Sequence, residues 1–154
     1  MDKPREPVLS EHMRHFEVPE LIFEHVNGFN AEAIHDRVPR ERWQEICEKA
    51  IRTMNKVSDH DIMNMDVRPE KLPACSTRLR GWTMYEVVQI DFALCRFRLD
   101  IQTDDIWAEL KHSEDEEGAI GDVMQHRHNK LGGRFTYTSS KRYWGPWAYD
   151  ENWV

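Results

Sequence analysis

Two aspartates have the type and placement to do chemistry. Asp66 stands in a polar loop, Asn64-Met-Asp-Val-Arg-Pro69, and Asp91 follows an apolar run, Tyr85-Glu-Val-Val-Gln-Ile90. Phosphoryl transfer asks little covalent chemistry of a protein. It needs one carboxylate to orient the attacking hydroxyl and take its proton, and carboxylate or amide ligands to hold Mg²⁺ on the phosphates. Both sets must sit on short loops at the ends of elements, so that they converge. Taken singly, each Asp is equally well explained as a turn residue. The order helix, Asp loop, hairpin, Asp turn is more informative than either residue alone.

The elements that would position them can be read from the pattern. Trp43, Ile46, Cys47, Ala50, Ile51 and Met54 recur at the spacing of one helix face, opposite Arg42, Glu45, Glu48, Lys49 and Arg52, and Pro39 suits the first turn. The spacing predicts a core-facing helix over residues 40–57, with a short helix at 31–36 before it and a turn at Asn27-Gly28. From Ser58 to Asp66 the texture is polar and irregular, and Val67-Arg68-Pro69 breaks any helix. Leu72–Leu79 and Tyr85–Ile90 are expected to form a hairpin, the second strand ending at Asp91. A further apolar run, Leu21-Ile-Phe23, reads as a short buried strand. Residues 104–117 are acidic, with Glu114–Glu117 expected to face solvent. Ala119–His128 is expected to be helical on Ile120, Val123 and Met124. The tail from Tyr137 onward is aromatic, with Tyr143, Trp144, Trp147, Tyr149 and Trp153 as core or docking surface.

Composition narrows the classes. The 154 residues are 40% hydrophobic and 32% charged, a globular balance. The net charge of −7 and the lack of a long basic run disfavour nucleic acid as a partner. Cys47, Cys75 and Cys95 are too few and too scattered for a disulfide framework, and no CxxC pair marks a zinc site. No signal-like leader and no stretch of about 18 apolar residues is present, so no membrane partner is expected and the location is expected to be intracellular, cytoplasmic or nuclear. His112, His126 and His128 lack neighbouring ligands, and His60 beside Asp61 lacks a Ser or Cys nucleophile motif.

With these residues in view the sequence resembles the protein kinase-like superfamily. Asp66-Val-Arg-Pro-Glu-Lys71 is similar to the family's catalytic loop, Ile90-Asp-Phe-Ala93 to its metal-binding turn, and Pro19 to Gly28 to the strand and hinge that contact adenine. The helix at 40–57 looks like the long helix ahead of the catalytic loop, and Glu116–Gly121 like the start of that lobe's central helix. The resemblance implies an α+β fold, mainly α. It would be a kinase-like C-lobe with a small hairpin carrying the metal turn, and an N-lobe largely absent because 17 residues precede Val18. Residues 1–17 would be a flexible lead-in and 18–154 a partial kinase-like domain.

Position by position, the resemblance makes Asp66 the catalytic base and Arg68 the group that neutralises the transferred phosphate. Asp91 becomes the Mg²⁺ ligand, and Glu24, His25 and Val26 face adenine. Lys71, also on the cofactor side, takes the place of the family's second metal ligand, an Asn. An ammonium cannot ligate Mg²⁺. Ala93 replaces the Gly of the metal turn, Asn64-Met65 replace the His-Arg before the catalytic Asp, and no Ala-Pro-Glu motif follows. A register with Asp61 as base and Asp66 as metal ligand would forgo Arg68-Pro69.

Three functions follow from the sequence. The first is a truncated or pseudokinase-type module with weak or no ATP-dependent phosphotransfer. The second is a Ser/Thr or small-molecule kinase using ATP and Mg²⁺, completed by another chain. The third is a non-catalytic interaction protein. The third expects Asp66 and Asp91 to lie far apart.

Overall fold

The computed structural model describes residues 25–145. Trp43–Ser58 form helix α2, entered through a 3₁₀ turn at Arg40–Arg42. The face the spacing selects is the buried one: Trp43, Ile46, Cys47, Ala50 and Met54 carry the core. Against it pack Ile120 and Met124 of helix α4 (Glu116–Lys130) and Tyr85 and Val87 of the hairpin. The predicted helix at 31–36 is present as a 3₁₀ turn at Ala31–Ala33 running into α1, Ile34–Arg37.

The fold is α+β, and the described residues form three long helices and two small antiparallel sheets. Strand β3 (Pro73–Leu79) pairs with β4 (Trp82–Val87), and β1 (Phe29–Asn30) adds to the other side of β3. The hairpin turn puts Arg80 at φ 50° and Gly81 at φ 85°, the doubly positive geometry that matches strand twist. The outer edge of β4 is not left bare. Lys49 donates to the Tyr85 carbonyl, and Thr53 Oγ1 to the Val87 carbonyl at 3.0 Å, so α2 covers it with side chains.

Several expectations change. The second hairpin strand begins at Trp82 and ends at Val87, three residues earlier than the apolar run suggests, because Leu79 pairs with Trp82 across the two-residue turn. The segment after Ser58 is not irregular throughout. Ile62–Asn64 form β2, which pairs with β5 (Cys95–Phe97). Gly28 makes no turn. A Cβ there would lie 2.6 Å from the Ala74 carbonyl oxygen, so glycine lets the chain approach β3. The acidic stretch contains helix α3, Asp104–Glu114, capped by Thr103. Its one-residue stripe, Trp107, is too thin for periodicity to reveal. Asp115, at φ 41°, ends α3 and caps α4 by accepting from Gly118 N at 3.1 Å. Glu116 does not face solvent; it is buried. The expected strand at Leu21–Phe23, the lead-in, Trp147, Tyr149 and Trp153 lie outside the described residues. No helix among the described residues is long and apolar enough to cross a membrane.

His126 and His128 are on α4, within the helix expected over Ala119–His128. His128 is 2% exposed, packed at a tilt against Trp43 with ring centroids 5.1 Å apart, and neither ring nitrogen has a hydrogen-bond partner among the described residues. Burial, helped by the charges of His35 and Arg127, pushes the His128 imidazole down to about 4. The unfolded chain protonates this group near 6.5, while the folded chain does not until about 4. Stability is therefore expected to fall as pH drops from 6.5 to 4, by up to about 3 kcal/mol. Urea denaturation across that window should show the slope, and His128→Phe, which keeps the ring against Trp43, should flatten it. An unchanged slope in the variant refutes the assignment.

Candidate functional site

The loop carrying Asp66 begins where β2 ends. Asn64 Oδ1 accepts from Asp66 N at 2.9 Å, closing a turn that presents the carboxylate. Pro69 forces Arg68 into extended backbone (φ −149°, ψ 148°) and starts a 3₁₀ turn, Pro69–Lys71. Arg127 of α4 clamps that turn from behind, pairing with Glu70 at 2.9 Å and Glu32 at 3.1 Å.

Asp91 reaches the same place because the chain on either side of it is pinned. Before it, Val88 N donates to the Pro73 carbonyl and Ile90 N to the Lys71 carbonyl, both at 3.0 Å. After it, β5 pairs with β2, and Met65 N donates to the Leu94 carbonyl at 3.2 Å. Asp91 itself takes the left-handed conformation, φ 64°, and its Oδ1 accepts from Ala93 N at 3.3 Å. The positive φ of this turn falls on Asp91. Ala93 is not among the positive-φ residues, so an alanine there meets no left-handed penalty.

Asp66 and Asp91, 25 positions apart in the chain, share one partner. Lys71 Nζ bonds Asp66 Oδ2 and lies 2.7 Å from Asp91 Oδ2. Arg68 adds a two-pronged contact to Asp66, Nε to Oδ1 at 2.9 Å and Nη2 to Oδ2 at 3.1 Å. The Lys71 ammonium, then Arg68, holds the Asp66 carboxyl below the usual range. Lys71 and the Ala93 amide do the same for Asp91. The two carboxylates in turn raise Lys71. All three are partly open to water, so these are shifts of charge state rather than large reserves of stability.

The arrangement limits the chemistry. A carboxylate that already accepts from a guanidinium and an ammonium is a weak base, since taking a proton costs both contacts. Nor do the residues fit Mg²⁺. The ammonium sits between the only two carboxylates of the cluster, and no group of three or more His, Cys, Asp or Glu side chains that could hold a metal exists among the described residues.

The other sequence candidates are dispersed. His25 and Val26 lead into β1, whose antiparallel register (Phe29 opposite Ala74, Asn30 opposite Pro73) carries the residues before it along β3 away from Lys71. Glu24 lies outside the described residues. Asp61 is not in the cluster; it lies 3.7 Å from Arg98.

Sequence reasoning missed what holds the Asp66 loop in place. Glu116 Oε1 accepts from Asn64 N at 2.6 Å, while Glu116 Oε2 takes the Lys111 ammonium and, at 3.2 Å, the Ser58 hydroxyl. Lys111 Nζ also donates to Ser58 Oγ at 2.8 Å and the Ile62 carbonyl at 2.6 Å. It lies under the rings of Trp107 and Tyr143, 5.7 and 5.6 Å from their centroids. The Lys111 side chain is fully buried, which lowers its pKa against the pull of Glu116. The signal available in sequence was a Lys and a Glu five apart across a helix break, which no helical spacing rule flags.

Among protein-family models and curated proteins, none matches this sequence.

Lys111→Met strands a buried carboxylate and should destabilise the fold by about 3–5 kcal/mol in urea denaturation. Adding Glu116→Gln, which keeps an oxygen for Asn64 N, should recover at least half of that loss. Additive losses in the double variant would show that the two groups do not act as a pair.

Proposed function

We propose that the chain is a protein kinase-like module of the C-lobe type that retains the scaffold of a phosphotransfer site while its chemistry is weak or lost. The observation carrying this reading is the convergence of Asp66 and Asp91 on one ammonium. Helix α2, the Asp66 loop, the hairpin and the Asp91 turn present them in the order the resemblance expects. The buried start of α4, tied to the Asp66 loop through Glu116, fits the place of that lobe's central helix. The non-catalytic alternative expects two distant carboxylates, and the ammonium they share supports the kinase-like reading over it.

The pseudokinase form of the reading is preferred because of Lys71. It supplies charge where the family would place a metal ligand, and with Arg68 it lowers the basicity of Asp66. ATP, if taken at all, is held weakly. Titration of the chain with Mg²⁺-ATP in a calorimeter should give no dissociation constant below about 100 μM, a binding energy near 5.5 kcal/mol. Micromolar binding that disappears in Asp91→Ala would overturn this and restore an active site.

A second reading, a kinase completed by another protein, is favoured by one feature. The outer face of the hairpin and the chain beyond it expose Leu79, Trp82, Met84, Val88, Ile90 and Phe92, with Trp82 76% exposed. A sheet apolar on both faces calls for a second layer. On this reading, ATP turnover appears when a partner protein covers that face, and Asp66→Asn abolishes it without changing the melting temperature by more than a few degrees. Turnover that persists in Asp66→Asn removes it.

A further inference from the structure

We propose that the Lys71 ammonium is the resident cation of this site: it takes the place of a divalent ion between Asp66 and Asp91, so the native cluster works without metal and becomes a divalent-cation site once Lys71 loses its charge.

Three observations carry the inference. The first is position. Both carboxylates bond the same Nζ, so their oxygens lie within about 6 Å of each other, two ordinary N–H···O lengths. A Mn²⁺ or Mg²⁺ ion spans about 4.2 Å between opposite ligands, so side-chain rotation of one aspartate closes the difference.

The second is anchoring. Lys71 N donates to the Arg68 carbonyl at 2.9 Å, and its own carbonyl accepts from Ile90 N at 3.0 Å. Residue 71 is thus tied to both aspartate segments through its backbone. Replacing its side chain does not release the loops that bring the carboxylates together.

The third is charge. Asp66, Asp91, Lys71 and Arg68 sum to zero, counting two carboxylates against two cations. A divalent ion added to this neutral group would have to displace the ammonium and meet its repulsion. Without Lys71 the group is net −1, with two carboxylates partly open to water that can complete an ion's shell. Lys71→Gln removes the cation and offers an amide oxygen from a side chain one bond shorter.

The test is titration of the full chain with Mn²⁺, followed by the paramagnetic resonance signal of the free ion. Native protein and Lys71→Arg are expected to bind no Mn²⁺ below about 1 mM. Lys71→Gln is expected to bind one ion at least tenfold more tightly, and Asp91→Asn in that background should remove it. If Lys71→Gln is poorly folded, millimolar Mn²⁺ should raise its melting temperature, because an ion that binds only the folded chain stabilises it. Equal Mn²⁺ binding by native and Lys71→Gln protein overturns the proposal. So does a Lys71→Gln chain that neither binds nor is stabilised by the ion.

The inference shares its site with the kinase-like reading but does not depend on it. Capture of Mn²⁺ by Lys71→Gln together with micromolar nucleotide binding by the native chain would leave the resident cation standing and remove the pseudokinase reading. Equal Mn²⁺ binding by native and Lys71→Gln protein, with no nucleotide bound, would do the reverse.

Discussion

The position of the Asp66 loop depends on a charge that water does not reach. Glu116 opens α4, yet its carboxylate spends its acceptors on Lys111 from α3, Ser58 from the last turn of α2, and the Asn64 amide that ends β2. Four elements meet at one side chain. In low-dielectric surroundings such a group is tolerated only when nearly every lone pair is used, and here nearly every one is. Asn64 then passes the constraint on, since its backbone is held by Glu116 and its side chain holds Asp66 N. The geometry of an exposed carboxylate is thereby set from the interior.

At the other end of the loop, electrostatics replace burial. Asp66, Asp91, Lys71 and Arg68 form a neutral, half-open group in which each carboxylate is satisfied by its neighbours. Such a group is stable in place and chemically quiet. A site built for turnover keeps a carboxylate free for a proton or a metal, and on the proposed reading this cluster keeps none.

Much of the frame was legible in the sequence. The stripe from Trp43 to Met54 faces the core as its spacing requires, and the hairpin stands between the two aspartates. Their order left open whether the two aspartates meet, and the shared Lys71 ammonium shows that they do. What was not legible is non-local. The pairing of β2 with β5 joins three-residue strands more than thirty positions apart, too short to show alternation. The hairpin register was misplaced because apolar residues run through Ile90 on both faces of the chain, so hydrophobicity marked the segment but not its pairing. Glu116 was read as solvated because a run of four acidic residues usually is; which one turns inward is decided by Lys111, and that is a tertiary fact. The sequence also did not show the direction of the Lys71 side chain, which sets its ammonium between the two carboxylates.

The side chains that α2 lays along β4 bear on how this molecule can associate. With Lys49 and Thr53 already bonded to the Tyr85 and Val87 carbonyls, that border of the sheet has little left to offer an incoming strand. Growth by zipping backbones together is blocked on that side, whereas the apolar face lies open. Association there proceeds by stacking one surface on another, which is reversible and selective for shape, rather than by the strand addition that leads to fibres.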